Sequence, residues 1–230
     1  MILEVIATHL SDVIDAEKYG ADRLELSPGM LEDGITPSFG LIEAAVRNAK
    51  IPINVMIRPH SKSFVYDEND IETMIKDIQI AKKLGANGIV FGALTKDGQI
   101  DKEVVKRLLA EAEGLDVTFH RAFDYSRNLE EAFECLAEFN QIKRILTAGG
   151  KNKATMNIEP LKKLIQLLKQ THIKIMTGYG LRVESLSYFV REVKPEEVHF
   201  GSGVRIQNSY KYPIDPDKMK KIKDIFVKNV

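Results

Sequence analysis

A single cysteine, Cys135, stands in the 230 residues, so the chain closes no internal disulfide and builds no zinc site from several thiolates. It falls in the helix-period segment Leu129 to Phe139, where a buried free thiol is one reading and a reactive or metal-binding thiol the other. Charge of either sign is not in excess. Lys plus Arg and Asp plus Glu are 33 each, and a formal net charge of zero offers nucleic acid or an anionic membrane no general attraction. Apolar runs fall short of the ~20 residues that a membrane helix needs. A basic start leading through an apolar stretch to a small-residue cleavage site is missing too, and a cytoplasmic protein is expected. No strand is followed by Gly-x-Gly-x-x-Gly opening a helix, which removes the dinucleotide fingerprint. Lys174 lies near the start of its strand, the wrong end for a Schiff-base lysine, and no better placed lysine is evident.

What is present is alternation. Short β-branched runs read as strands at Ile2 to Ala7, Arg23 to Leu26, Ile53 to Ile57, Gly88 to Phe91, Val117 to His120, Arg144 to Thr147, Lys174 to Thr177 and Glu197 to Phe200. Between and after them come amphipathic segments at Asp12 to Tyr19, Phe39 to Ala49, Ile71 to Leu84, Lys102 to Glu113, Leu129 to Phe139, Glu159 to Gln170, Glu184 to Glu192 and Asp217 to Lys228. Ser11, Asn128 and either Thr36 or Ser38 sit where helix N-caps belong, and Gly20 and Gly85 where helices end. Strands and helices in equal number predict a closed (β/α)8 TIM barrel, an α/β fold, as a single domain over residues 1–230; an open doubly wound sheet is the alternative.

With the apolar face of each strand turned to the helices, the other face carries Glu4, Arg23, Glu25, Asn54, Met56, Arg58, Thr118, His120, Glu197 and His199. Such a barrel has a polar interior, and buried ionised groups must compensate one another or meet a ligand. An internal salt-bridge network suits Glu4, Arg23 and Glu197. Groups at strand C-terminal ends, where barrel enzymes place their sites, are functional candidates: Glu25, Arg58, His120, Arg121 and Asp124, with Glu4 and His199 one step deeper.

The segment Val117-Thr118-Phe119-His120-Arg121-Ala122-Phe123-Asp124 delivers an imidazole, a guanidinium and a carboxylate within five residues. His60 to Asn69 is long for a loop of this architecture, and Phe64 and Tyr66 within it fit a lid packed on the barrel mouth. Glycines gather after three late strands, at Gly149-Gly150, Gly178-Tyr179-Gly180 and Gly201-Ser202-Gly203. They serve either tight turns or an anion approached by backbone N–H groups.

Asp22-Arg23-Leu24-Glu25-Leu26, Asp33 to Ser38, Met56-Ile57-Arg58-Pro59, Gly88 to Leu94, Val117 to Asp124 and Arg144 to Gly150 together resemble the CutC family, over nearly the whole chain and in order. The resemblance implies a TIM barrel, a cytoplasmic location, a homo-oligomer and a role in copper homeostasis by binding or buffering copper. It also marks two departures. Ser27 stands where the family commonly has a cysteine proposed to hold Cu(I), and hydroxyl oxygen is a poor donor to that soft ion. His60-Ser61-Lys62-Ser63 replaces a glycine-rich stretch ending in an acid.

Three functions are therefore expected in competition. In the first, Met56, His120 or His199 ligates copper as Cu(I). In the second, the protein is an enzyme on a small phosphorylated or carboxylated substrate. Arg58, Arg121, Glu4 and the glycines Gly149, Gly150, Gly178, Gly180 and Gly201 would bind it, with His120 as general acid or base and Glu25 or Asp124 as partner carboxylate. In the third, the barrel is an oligomeric scaffold. No nucleic acid or membrane partner is expected.

Overall fold

Eight strands close edge to edge in a computed structural model that describes residues 1–167 and 171–228. They are β1 (Ile2–Ala7), β2 (Arg23–Leu26), β3 (Ile53–Met56), β4 (Gly88–Phe91), β5 (Asp116–Phe119), β6 (Ile142–Thr147), β7 (Lys174–Thr177) and β8 (Glu197–Phe200). Every neighbouring pair is parallel, and β8 returns to β1, so the open-sheet alternative is excluded. The helices α1 (Leu10–Lys18), α2 (Phe39–Asn48), α3 (Glu68–Lys83), α4 (Lys102–Glu111), α5 (Leu129–Ala137), α6 (Ile158–Leu167), α7 (Val183–Val193) and α8 (Pro216–Lys228) complete a (β/α)8 TIM barrel.

Pattern and structure differ mainly at element ends. β5 starts at Asp116 and stops before His120, and β6 starts two residues before Arg144, at Ile142. The expected helix Glu159 to Gln170 is described only to Leu167; positions 168–170 lie outside the described residues. Ser11 is not a cap: α1 is preceded by His9, and Ser11 lies inside the helix. The reason is Asp12, which accepts from the Thr8 N–H and so draws the chain into its turn earlier. Asn128 accepts from the N–H groups of Glu130 and Glu131, and Ser38 rather than Thr36 caps α2 through Leu41 N–H. Gly20 and Gly85 take φ of 94° and 89°, conformations that L side chains rarely adopt.

The apolar core is the shell between barrel and helices, where Leu3, Val5, Leu24, Val55, Phe91, Phe119, Ile145 and Phe200 are wholly or almost wholly buried. The interior is ionic. Arg144 reaches Asp116 at 2.7 Å and Glu197 at 3.2 Å. Arg23 contacts Glu197 and Glu4, each at 2.5 Å, and Glu4 meets His199 at 2.8 Å. Charges thus alternate in one chain across the barrel, which is how these groups survive burial. The expected network of Glu4, Arg23 and Glu197 is present, and Arg144, which the strand pattern had not singled out, ties it to β5 and β6.

Candidate active site at the barrel mouth

Parallel strands all end on one face, and their C-terminal loops enclose a cavity of about 570 Å³. Its lining includes Glu25, Met56, Arg58, His120, Arg121 and His199, so six of the residues expected from sequence meet in one space.

The cavity floor is formed where β1, β2 and β8 lie side by side, with Glu4 in register with both Arg23 and His199. His199 Nδ1 and Glu4 Oε1 share a hydrogen bond of 2.8 Å, which leaves Nε2 for the cavity. Donor atoms of Glu4, Glu25 and His199 lie within 4.8 Å of one another. Burial opposes ionisation of Glu4, but the Arg23 guanidinium and His199 outweigh it and hold the carboxyl down to about 2. Glu25 has no such partner. Burial, together with the Glu4 charge and against the pull of His199, lifts its carboxyl to about 7, and its Oε2 is buried without a hydrogen-bond partner. For His199, burial disfavours the charge, yet Glu25 and Glu4 raise its pKa above the ordinary value. A fixed carboxylate, an imidazole oriented by it and a second carboxyl with a pKa near neutrality are groups that can pass a proton among themselves.

His120 differs from what its ordinary pKa suggests. Burial and the Arg58 charge lower it to about 3, so the ring is neutral at working pH. Its Nδ1 accepts from Ala122 N–H at 3.2 Å, which assigns the proton to Nε2, and Nε2 is buried without a partner. The ring is therefore placed to donate a hydrogen bond, not to accept a proton. Gly92 makes this possible: a Cβ there would stand 2.6 Å from His120 Cε1. Phe64 lines the cavity and covers the ring edge-on, with centroids 5.1 Å apart, whereas Tyr66 is buried in the core against His60 and does not reach the lining.

Several expected binding groups are already engaged. Arg58 Nη1 donates to the carbonyls of Glu32 and Gly34 at 2.7 and 2.9 Å, so it props the loop after β2. Asp124 is not part of the cavity lining. It accepts from the Thr147 hydroxyl, from Ala148 N–H, from Gly150 N–H at 3.1 Å and from Arg121 Nε at 2.9 Å. Gly149 N–H goes to Thr147 Oγ1. The Gly149-Gly150 turn is an anion cradle, but the anion is the protein's own Asp124, which corrects both the partner-carboxylate and the ligand-grip expectations. Gly178 is also outside the lining; a Cβ there would meet Leu146 at 2.7 Å and His199 at 3.1 Å, so it makes room for His199. Gly180 and Gly201 do line the cavity.

Sequence reasoning missed Arg182, Lys153, Tyr179 and Tyr210, all on the lining. A cation two residues beyond Gly180 was the available signal for Arg182. Nothing local marked Tyr210, which arrives from the long segment after β8 held down by Arg205; that buried guanidinium pairs with Asp12 at 2.7 Å and reaches the Ile6 carbonyl at 3.1 Å.

Copper was the metal to test against these donors. The sulfur on the lining is thioether only, Met30 and Met56. Ser27 Oγ is buried and unpartnered, and both it and the Met56 methyl lie against the space above Gly34. Cys135 is half-buried on α5 and outside the cavity. The carboxylates and imidazole of the floor are hard to borderline donors, so the set does not fit a Cu(I)–thiolate centre.

The family model for the CutC family matches residues 1–204. A human relative named copper homeostasis protein cutC homolog is 38% identical over 214 residues, covering 90% of this chain and 78% of the relative. The family protein CutC of Pasteurella multocida is 41% identical over 207 residues, covering 90% and 84%. A crystal structure of CutC from Streptococcus agalactiae superposes with a TM-score of 0.81 at 31% identity, over 87% of this chain and 98% of that one. The barrel, its ordered motifs and these likenesses agree, and the chain belongs to the CutC family.

Proposed function

We propose that the protein acts in copper homeostasis, the role for which its human relative is named, and that its site does so as an enzyme. The reaction is acid–base chemistry on a small phosphorylated or carboxylated metabolite, not carriage of Cu(I) on thiolates. The observation that carries this reading is His199 held by Glu4 at 2.8 Å beside the unpartnered Glu25 Oε2, on the floor of a cavity. Glu25 moves the proton, His199 relays it, and His120 Nε2–H steadies negative charge developing on a substrate oxygen. General acid–base assistance of this kind is worth roughly 10²–10⁴ in rate.

Proton abstraction leaves a signature in deuterated water: label enters the substrate carbon. A screen of phosphorylated and carboxylated metabolites by NMR is expected to find one that exchanges with wild-type protein and not with Glu25→Gln or His199→Asn. Equal exchange by all three proteins removes the relay from the mechanism.

The setting belongs to the same reading. The lone free thiol fits a reducing cytoplasm, and the family resemblance implies a single-domain homo-oligomer. Light scattering on the purified chain gives the subunit number.

A further inference from the structure

The cavity is unequal in charge: five Lys or Arg side chains line it against two carboxylates, Glu25 and Asp33. Most of the cations have work within the fold, but three guanidinium nitrogens on the lining do not: Arg58 Nε, Arg121 Nη2 and Arg182 Nη1. Arg121 is fixed from one side by Asp124 at Nε and stacked over the Tyr179 ring, 3.7 Å from its centroid, while its Nη2 is buried without a partner. Arg182 arrives from the loop after β7, and its Nη1 is buried and equally unpartnered. Both line the same cavity, and so does Lys153, whose stem lies against Gly180: a Cβ at Gly180 would stand 2.8 Å from Lys153 Cβ. Buried donors without acceptors are destabilising, more so when charged, and like charges gathered in one pocket add to that. Such an arrangement is stable to the extent that an anion joins it.

Resting on the acid–base reading above and naming its substrate class, we infer that Arg121 and Arg182, with Lys153 as a third cation, grip the phosphate dianion of a small phosphomonoester. Two guanidinium donors and an ammonium suit a doubly charged group with three acceptor oxygens better than a carboxylate. Two other candidate grips are engaged elsewhere: the Gly149-Gly150 turn holds Asp124, and Arg58, though its Nε is unpartnered, is held to loop carbonyls through Nη1. The phosphate sits under the β5 and β7 loops, and the rest of the molecule extends toward Glu25 and His199 on the floor.

Calorimetric titration of the full chain with ribose 5-phosphate, inorganic phosphate and malate tests the assignment. Ribose 5-phosphate is expected to bind, inorganic phosphate to compete with it, and malate to bind at least ten-fold more weakly. Arg182→Gln is expected to weaken ribose 5-phosphate at least ten-fold; because Arg182 Nη1 has no protein partner to lose, the variant keeps its fold, checked by its melting temperature. Arg121→Gln serves as the second variant, with the same loss expected. Absent phosphate binding by wild-type protein, unchanged affinity in both variants, or tighter malate binding each overturn the grip. The two readings fail separately. Glu25-dependent deuterium exchange on a substrate without phosphate keeps the relay and removes the grip. Phosphomonoester binding lost in Arg182→Gln, with no Glu25-dependent exchange on any phosphomonoester, keeps the grip and removes the relay.

Discussion

His199 and Glu4 face each other from β8 and β1, neighbours in register, and join at 2.8 Å inside the barrel, so the imidazole meets the cavity with its orientation already set. Glu4 in turn is held by Arg23, and through Arg23 and Glu197 the same chain of charges runs to Arg144. The floor of the site and the ionic core of the fold are therefore one network.

Breaking that network far from the cavity should cost stability. Arg144→Met leaves Glu197 with Arg23 alone and strips Asp116 of its 2.7 Å partner. Removing one member of a buried pair costs about 3–5 kcal/mol, and denaturant unfolding is expected to show a loss of that order. A loss under about 1 kcal/mol would mean that water reaches the barrel floor.

Glu25→Gln is expected to be most stabilising at alkaline pH. A carboxyl raised to about 7 binds its proton more tightly folded than unfolded, so the wild-type protein loses stability as pH rises from about 4.5 through 7. Glutamine removes that loss. The variant should gain on wild type by about 3 kcal/mol between pH 4.5 and 8.5, the gain accruing at about 1.4 kcal/mol per pH unit while the folded carboxyl keeps its proton and the unfolded one has lost it. A pH-independent difference would mean that His199 and Arg23 offset the burial of the Glu25 carboxylate in full.

His120 works in the opposite window. Its folded pKa of about 3 lies below the unfolded value of 6.5, so the unfolded chain gains the proton first and stability falls as pH drops below 6.5. His120→Gln should flatten this acid limb by about 1.4 kcal/mol per pH unit. Nitrogen chemical shifts of wild-type protein should show a neutral ring protonated at Nε2 from pH 5 to 8, whereas a titration midpoint near 6.5 contradicts the assignment.

Ser27→Cys probes the copper side of the family. A thiolate there would stand beside Gly34 and the Met56 methyl, replacing a buried hydroxyl that has no partner. Competition titration against a Cu(I) chelator is expected to show stoichiometric binding in the variant and none in wild type, with Met56→Leu weakening the gain. Tight, stoichiometric Cu(I) binding by wild-type protein would overturn the argument from donor softness.

Sequence alone determined the architecture, because alternating period-2 and period-3.6 hydrophobicity is a local property and eight repeats of it have few ways to close. It also marked the ionisable strand faces, since Glu4, Glu25 and His199 each stand between two apolar residues and His120 follows the apolar Phe119. Only the tertiary structure decided which of these groups remain free. Asp124 looks as reactive as Glu25 in the chain, yet the β6 loop folds three donors onto it while Glu25 Oε2 is left alone. Arg182 and Lys153 look like surface cations until barrel closure places them on the cavity lining that Arg121 shares. The pKa of a side chain and the spare capacity of a guanidinium depend on atoms brought from distant strands, and those distances are set by closure rather than by any local run of residues.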